Sequence, residues 1–333
     1  MVKVSVFVNL FFNSFNSSLN FKSCLLKNLL NSFNFSLAAL IRFCLSRFRC
    51  ISSTSLITSR TFSLIKVSIS FRKILAEQIL KLQQQSGQVL DGVPILISGM
   101  ASSSIGMMEL PYKELPFLAN GSDLLTHFIE SWGDFNQNMI IISGVRSSDD
   151  VMRGEEAILV GCDVETSEAA QLFILPGTHS KHITVKNGVV SDFKTYMTGE
   201  IFNLLSNDSI LSGSIEKGNI NKQGDSFFIK GVTDSIETNF LQSIFHVRTN
   251  QLFGKLNRKE NYHYLSGSVV GAELKHLKQN DYSGITIVAD EILSGLYLQA
   301  LNSLGLHKNL NHINADKALV KGQSAILIHH INK

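Results

Sequence analysis

The segment from Leu175 to Lys181 combines residue types that can bind a phosphate group. Its apolar beginning leads into Gly177 and Thr178, a predicted turn whose backbone N–H groups can converge on an anion, and Lys181 adds a point charge suited to phosphate. The Gly-x-x-x-x-Gly-Lys-Ser/Thr loop of P-loop proteins does not occur in the sequence. The start of an ordinary hairpin with solvated polar residues fits the same pattern, so this segment alone leaves both interpretations open.

A pair of adjacent carboxylates, Glu155 and Glu156, directly follows Gly154. They begin a predicted helix, where the helix dipole favours an ionised carboxylate and partly offsets its desolvation. A carboxylate in that position could accept the proton of a substrate hydroxyl as a general base. Acidic residues are also common in first helical turns that have no catalytic duty, so both interpretations stay open.

Two further polar segments are weaker candidates. Thr198 is placed as the N-cap of a predicted helix, followed by Gly199 and Glu200, and capping alone would account for it. The Ser98–Gly106 loop, which contains Ser102, follows a predicted strand. It could line a pocket with backbone and hydroxyl donors, or it could be a plain flexible connection.

The sequence gives no support for a metal site or a serine nucleophile. His179 with His182, and His329 with His330, have no cysteine or carboxylate set at zinc spacing, so these are predicted to be surface histidines. Ser180 beside His179 has no Gly-x-Ser-x-Gly turn around it. No metal-ligating residue is therefore predicted.

Alternating helical and strand patterns surround these segments and predict a mixed sheet. An Asn187-Gly188 turn indicates a hairpin. The predicted helices are Ile74–Leu82, Asp123–Trp132, Glu155–Cys162, Thr198–Leu205, Leu265–Leu277, Glu291–Leu304 and Gly322–His329; the predicted strands are Val93–Ile97, Asn138–Ile142, Gln171–Leu175, His182–Val185, Val189–Lys194 and Thr286–Ala289.

Residues 1–76 differ sharply in composition from the rest of the chain. They contain no Asp, Glu, Gly or Pro and carry +10, whereas residues 77–333 carry −7, which gives the net charge of +3. Turns normally require glycine and proline. Three interpretations compete: an organellar transit peptide, a membrane segment, and a stretch never selected to fold, such as a slipped reading frame. Apolar runs far shorter than the roughly 20 residues of a span disfavour the second, and we favour the third.

The remaining composition limits partners and compartment. The basic excess lies almost wholly in residues 1–76, so a nucleic-acid partner has no support. Cys162 is the only cysteine after residue 76, which indicates a reducing compartment without a disulfide framework. We expect a cytoplasmic protein with neither a nucleic-acid nor a membrane partner.

Taken together, three motifs in order resemble the 2-dehydro-3-deoxygalactonokinases. They are Val151–Glu156, Leu175–Lys181 and Met197–Glu200, and the resemblance runs from about Ile74 to the C-terminus. Softer matches are Ser98–Met100, Phe245–Arg248, Tyr264–Gly267 and Gly271–Glu273.

The resemblance implies an α/β fold of the actin/hexokinase-like (ribonuclease H-like) class, with two domains that close on ATP and Mg²⁺. Residues 77–145 would be the remainder of an incomplete N-terminal domain and residues 146–333 the C-terminal domain. The implied reaction transfers the γ-phosphoryl group of ATP to the C6 hydroxyl of 2-dehydro-3-deoxy-D-galactonate.

The resemblance also implies roles for individual residues. Gly177, Thr178 and Lys181 resemble the family's second phosphate-holding turn. Glu155 resembles the segment that carries the catalytic base, with Asp192 as the alternative.

On the substrate and adenosine sides, the resemblance is less specific. Ala289, before Asp290, resembles the adenosine-side turn, although the family expects a small residue where Asp290 stands. Arg146 and Arg153 are candidates for the substrate carboxylate, because a guanidinium binds it in a bidentate manner, and Ser102 is a further substrate candidate.

One family feature is missing from the sequence. The superfamily begins with a strand and an Asp-x-Gly-Thr/Ser hairpin that holds Mg²⁺-ATP phosphates, and residues 1–76 contain neither Asp nor Gly. We therefore expect little kinase activity from this chain. The alternatives are a non-catalytic sugar-acid-binding relative and an organelle-targeted protein with an unrelated N-terminal module.

Overall fold

The computed structural model describes residues 6–10, 73–131, 136–218, 226–306 and 309–331. The strands are β1 (Val6–Leu10), β2 (Ile95–Gly99), β3 (Lys113–Glu114), β4 (Phe117–Leu118), β5 (Thr126–Ile129), β6 (Met139–Ile142), β7 (Val145–Arg146), β8 (Val151–Met152), β9 (Gln171–Leu175), β10 (Ser180–Lys186), β11 (Val189–Tyr196), β12 (Gly284–Ala289) and β13 (Leu310–Asn314). The helices are α1 (73–86), α2 (Glu155–Val160), α3 (Thr198–Asn207), α4 (Ser226–Glu237), α5 (Phe240–Leu252), α6 (Arg258–Leu274), α7 (Glu291–Ser303) and α8 (Ala315–Ile331).

A six-stranded mixed sheet carries the candidate motifs, in the order β13-β12-β9-β10-β11-β4. The first three strands are parallel, and the remaining pairs are antiparallel. The predicted Asn-Gly hairpin is confirmed: Asn187 and Gly188 both have positive φ, which is the backbone of a two-residue turn matched to strand twist. The sheet is mixed, as the sequence predicts.

A four-stranded sheet forms the other half, in the order β1-β2-β6-β5. Every residue of β2 and β6 is buried, which explains their continuous apolar runs. The predicted helix over Asp123–Trp132 is wrong, because Thr126–Ile129 is strand β5, paired antiparallel with β6. In this segment, Leu124 is buried but Leu125 and Phe128 are exposed. Pairing with the open edge of β6 overrides a helical spacing of apolar residues.

One hydrophobic cluster joins the two sheets. Leu96 and Ile140 of the four-stranded sheet share it with Phe173 and Ile183 of the six-stranded sheet. Helices α2 and α8 also contribute to it. Gln323 of α8 also donates a hydrogen bond to the buried Ser98 hydroxyl at 3.0 Å. The two predicted domains are therefore joined by a continuous core, and β4 from the first pairs with β11 of the second.

The helices on the outer side of the large sheet complete the fold. Helix α4 packs closely along α6. The sequence patterns do not predict α4, α5 or β13. The predicted helices at 74–82, 155–162, 198–205, 265–277, 291–304 and 322–329 are all present, with bounds that differ by up to seven residues, most at the starts of α6 and α8. Within the described ranges, no helix has the length and apolar content needed to span a membrane.

Candidate active site

The Gly177–Thr178 turn lies at the carboxyl end of β9, in the middle of the large sheet. β9 runs parallel to β12 with Ile174 beside Ile287, so the turn and the end of β12 at Ala289 share one edge of the sheet. In open sheets of α/β proteins, ligands bind outside the carboxyl ends of the strands. The predicted phosphate turn and the predicted adenosine turn are thus on the same side of the molecule.

The first turn of α3 packs directly against this turn. A Cβ atom at Gly199 would lie 2.6 Å from the Gly177 carbonyl oxygen, so only glycine permits this approach. The Glu200 backbone N–H donates to the Thr178 carbonyl oxygen at 3.1 Å. The prediction that Thr198 is the N-cap is wrong: Met197 holds that position, and the Thr198 hydroxyl donates to the Glu273 carboxylate instead.

Lys181 and Glu155 meet in an ion pair. The Lys181 Nζ atom lies 3.2 Å from Glu155 Oε1, and their side chains are only 5 % and 17 % exposed. Nζ also donates to the His179 carbonyl oxygen at 3.2 Å. A charge pair this far from water interacts more strongly than a surface pair, although both charges lose hydration. The structure therefore brings together Lys181 of the predicted phosphate-binding segment and Glu155 of the predicted carboxylate pair.

A second tie holds the same two motifs together. Asp150 accepts hydrogen bonds from the backbone N–H and the hydroxyl of Thr195, at 2.7 and 2.8 Å. Thr195 is the direct cross-strand partner of Lys181. Two adjacent contacts thus fix the segment before α2 against the β10–β11 hairpin, which positions Glu155.

The two carboxylates at the start of α2 differ in environment. Glu155 Oε2 accepts from the Arg153 N–H at 2.9 Å, and Glu156 Oε2 accepts from the Gly154 N–H at 2.7 Å, so both also cap the backbone that precedes the helix. Glu156 is fully buried, and its Oε1 atom has no hydrogen-bond partner among the described residues. Burial and, second, the neighbouring Glu155 charge raise the pKa of Glu156 to about 8. Glu156 therefore holds a proton at neutral pH.

Replacing Glu156 by glutamine is expected to change how stability depends on pH. Because the folded-state pKa is raised from 4.5 to about 8, native Glu156 keeps a proton that the unfolded chain loses, and stability falls as pH rises through that window. The substitution mimics the protonated acid, so it should stabilise by about 1 kcal/mol at pH 5 and by about 3 kcal/mol at pH 7. Urea unfolding of both proteins from pH 5 to 8 checks this; parallel curves would contradict it.

Arg153 and Ser102, both predicted substrate residues, are in contact. Arg153 Nη1 donates to the Ser102 hydroxyl at 2.6 Å and also to the Ser102 carbonyl oxygen. The guanidinium carbon lies 4.2 Å from the centre of the Tyr112 ring, in a cation–π arrangement. Within the described residues only Nη1 of this guanidinium has hydrogen-bond partners, which leaves its other N–H donors for a ligand.

Two other predicted residues lie apart from the Lys181–Glu155 pair. Arg146 is half-exposed and pairs with the surface residue Glu114. Asp192 is exposed on β11 opposite Thr184, three residues along the strand from Thr195, which partners Lys181. At about 3.3 Å per residue, that places Asp192 roughly 10 Å from the pair along the strand.

A helix cap holds the backbone of the predicted adenosine turn. Ala289 is buried at the end of β12, and Asp290 is the N-cap of α7, accepting from Ile292 N and Leu293 N at 2.9 Å each. Capping explains an aspartate at this position, where the family expects a small residue.

Sequence reasoning missed a buried acid next to the site. Glu273 of α6 lies 2.7 Å from His182 Nε2, and His182 is only 3 % exposed. The prediction that His182 is a surface histidine is therefore wrong, whereas His179 is about half exposed. Ser180 and His182 are two residues apart on β10 and so lie on one face of the sheet, but Ser180 to Ile183 are all buried, and no alternation of apolar and polar residues marks this face in the sequence. Among the described residues, no group of three or more His, Cys, Asp or Glu side chains could hold a metal ion.

Comparison with known proteins agrees with this arrangement. A family model described as 2-keto-3-deoxy-galactonokinase matches residues 58–326. The chain belongs to this family. The family match begins before Ile74, where the motif resemblance starts, and includes all three motifs.

The relatives of this 2-keto-3-deoxy-galactonokinase family member extend over most of its length. The probable 2-dehydro-3-deoxygalactonokinase DgoK1 of Rhizobium meliloti (strain 1021) is 32% identical over 242 residues, 70% of this chain and 77% of its own. The 2-dehydro-3-deoxygalactonokinase of Escherichia coli (strain K12) is 32% identical over 223 residues, 64% and 71% of the two chains.

A solved structure confirms the fold of this family member. The crystal structure of a provisionally assigned 2-dehydro-3-deoxygalactonokinase from Sinorhizobium meliloti superposes with a TM-score of 0.68 and 28% identity, covering 78% of this chain and 84% of that one. The predicted α/β fold of the actin/hexokinase-like class is thereby confirmed. The chain is a member of a family of phosphotransferases.

Proposed function

We propose that this chain is an ATP-dependent kinase that phosphorylates 2-dehydro-3-deoxy-D-galactonate at its C6 hydroxyl. The observation that carries the proposal is the 3.2 Å contact between Lys181 and Glu155, which joins an anion-binding group to a proton acceptor in one buried site. The names of the curated relatives support the same substrate. Phosphoryl transfer depends mainly on charge neutralisation and positioning, which such a site supplies.

The residues around the turn fit the phosphates of a nucleotide. A Cβ atom at Gly177 would meet no described atom within 4 Å, so there is open space beside this turn, while Gly199 supports it closely from behind. The backbone N–H groups of Gly177 and Thr178 would hold phosphate oxygens, and Lys181 would neutralise charge. The buried end of β12 at Ala289 would face the adenosine. Bound ATP would supply the transferable phosphoryl group.

Glu155 would serve as the general base. Its Oε1 atom contacts Lys181 and its Oε2 atom accepts the Arg153 N–H, so the carboxylate has a fixed orientation. In that orientation it would accept the proton of the C6 hydroxyl as the oxygen becomes a nucleophile. Asp192, on the exposed face of β11, is the poorer candidate because it pairs with Thr184, three residues along β10 from Lys181.

Arg153 would bind the carboxylate of the sugar acid. Ser102 and Tyr112 hold its guanidinium group in place, and its remaining N–H donors match a carboxylate in a bidentate manner. The Ser102 hydroxyl is fully buried and donates to the Gly99 carbonyl oxygen at 3.1 Å, so it would act on the substrate by holding Arg153. Arg146, half-exposed beside Glu114, would take part only through a rearrangement of that pair.

A magnesium ion is expected to accompany ATP rather than to occupy a protein cage. Mg²⁺ in kinases takes most of its ligands from phosphates and water, with one or two carboxylates. The described residues offer no cluster of three such side chains, and Glu155 is the carboxylate nearest to Lys181.

The proposal includes a low turnover for this chain. Strand β1 pairs in parallel with β2, but the stretch before Glu77 has neither the Asp nor the Gly of the first phosphate hairpin. A cytoplasmic location is also part of the proposal. Burial raises the pKa of the Cys162 thiol to about 12, so this thiol stays protonated at neutral pH.

Substrate-dependent ATP turnover tests the proposal. ADP release should require 2-dehydro-3-deoxygalactonate, and phosphorus NMR of the product should show a phosphate ester on C6. ATP binding without any turnover, even after the N-terminal hairpin is restored, would instead favour a non-catalytic sugar-acid-binding relative.

A further inference from the structure

Glu273 is a buried carboxylate with four hydrogen-bond donors around it. Its Oε1 atom accepts from the Ser180 hydroxyl and from His182 Nε2, each at 2.7 Å. Its Oε2 atom accepts from the Tyr297 hydroxyl at 2.7 Å and from the Thr198 hydroxyl. The residue is only 3 % exposed. Each oxygen thus has two donors, and the charge is fully satisfied by protein groups.

The four donors come from the elements that surround the candidate nucleotide site. Ser180 and His182 belong to β10, directly after the Gly177–Thr178 turn. Thr198 is the first residue of α3, whose first turn supports that same turn. Tyr297 lies on α7, the helix that begins after Ala289. One carboxylate on α6 therefore connects three separate elements of the site.

A purely structural role does not by itself account for a buried charge at this position. Burying a carboxylate is unfavourable unless geometry is excellent and every lone pair is used, and an apolar residue of similar volume is often no less stabilising. Burial alone would raise the pKa of Glu273, but the hydrogen bonds from His182, Thr198 and Tyr297 hold it below its usual value. Fully satisfied buried networks make a local geometry rigid.

We infer that Glu273 is a positioning residue for phosphate binding: its carboxylate fixes the start of β10 against the first turn of α3 and thereby sets the shape of the Gly177–Thr178 turn. The part of this inference that concerns phosphate rests on the proposed function. The part that concerns the turn rests on the hydrogen bonds alone. Among the described residues, Glu273 accepts hydrogen bonds from Ser180, His182, Thr198 and Tyr297, none of them a candidate substrate residue, so it acts through Ser180 and Thr198.

A glutamine at this position would break the arrangement while keeping its shape. One terminal atom would become an NH₂ group, which cannot accept a hydrogen bond; a hydroxyl on that side could accept from it only by turning its own hydrogen away from Glu273. The charge-assisted contact to β10 or to α3 would then become a weaker neutral one, and leaving buried donors without an acceptor is costly. The consequence should be local loosening of the turn rather than a general loss of structure.

Hydrogen exchange of the full chain tests this inference. In Glu273→Gln, the amides of residues 177–181 and 198–201 should exchange about tenfold faster than in the parent. The matched control is Asn261→Ala on the same helix, about 18 Å away along α6. Asn261 is also buried, and it donates to the Ser214 and Val247 carbonyl oxygens. Its replacement should therefore destabilise the protein in general without changing a contact to the Gly177–Thr178 turn.

Three outcomes decide the matter. Faster exchange confined to those two segments in Glu273→Gln, but not in Asn261→Ala, supports the inference; an unchanged or uniformly raised exchange overturns it. If Glu273→Gln fails to fold, Thr198→Val removes one donor only, and it should raise exchange about threefold at residues 198–201. No rise there overturns the inference.

ATP affinity separates the inference from the proposed function. A parent chain that binds ATP should lose about tenfold in affinity in Glu273→Gln and remain within twofold in Asn261→Ala. Equal affinity in both variants would overturn the role in phosphate binding. If the parent itself does not bind ATP, that result counts against the proposed function, and the exchange result alone decides whether Glu273 positions the turn.

Discussion

Replacing Glu155 by glutamine is expected to lower kcat by about 10²–10⁴-fold, the range typical for loss of a general base. The amide keeps the size of the side chain and its contact to the Arg153 N–H, but it cannot take a proton from the sugar hydroxyl. The ATP dissociation constant should change little by comparison. Initial rates at saturating substrate, with the N-terminal hairpin restored, measure the effect.

The neighbouring carboxylate supplies the control for that experiment. Glu156→Gln removes an adjacent acid that is buried and protonated at neutral pH, so turnover should stay within a fewfold of the parent. Glu155→Gln also leaves the buried Lys181 without its counter-ion, so the folded fraction of each variant must be measured by thermal unfolding. Undiminished turnover in a folded Glu155→Gln protein would remove Glu155 from its assigned role.

Restoring the first phosphate hairpin is expected to raise kcat/KM by at least 100-fold. Residues 1–72 would be replaced by a family segment that carries the Asp-x-Gly-Thr/Ser hairpin and joins at α1. Removal of one preorganised donor to developing charge typically lowers rates by about 10²–10³-fold, and the hairpin supplies several. The replacement also supplies a first strand for the edge of β2, where Val6–Leu10 now pairs.

A second version of the same segment serves as the control, with alanine in place of its aspartate. It should fold equally well and should show little of the gain. If the unaltered chain already turns over as fast as the restored one, the proposed impairment is wrong. The kinase proposal would survive that result, because it rests on Lys181 and Glu155 rather than on residues 1–76.

Much of the site could be predicted because its signals are local. The Gly177–Thr178 turn follows a continuous apolar strand, and the Asn187-Gly188 pair specifies its hairpin. Short-range turn chemistry and strand patterning therefore located β9, β10 and β11, with Lys181 on β10. The family resemblance added roles to these residues, and the structure brought Lys181 and Glu155 together.

The remainder depends on contacts between distant parts of the chain. Glu273 is one acid in a long helix, and nothing near it in sequence indicates that Ser180, 93 residues away, would donate to it. Thr198 has the residue type of an N-cap, but that same carboxylate takes its hydroxyl. Residues Thr126–Ile129 form a strand because they pair with the edge of β6. The local spacing of apolar residues carries no information about such a partner.

The central claim is that phosphate groups bind beside Lys181. An ATP derivative with a reactive acyl-phosphate group transfers its acyl chain to a lysine amine near the phosphates, and peptide mass spectrometry identifies that lysine. We predict labelling of Lys181 in the full chain, with protection by excess ATP. Labelling of Lys217 instead, beside a cavity of about 230 Å³ lined by Phe202 and Tyr262, with Lys181 unmodified, would contradict the account.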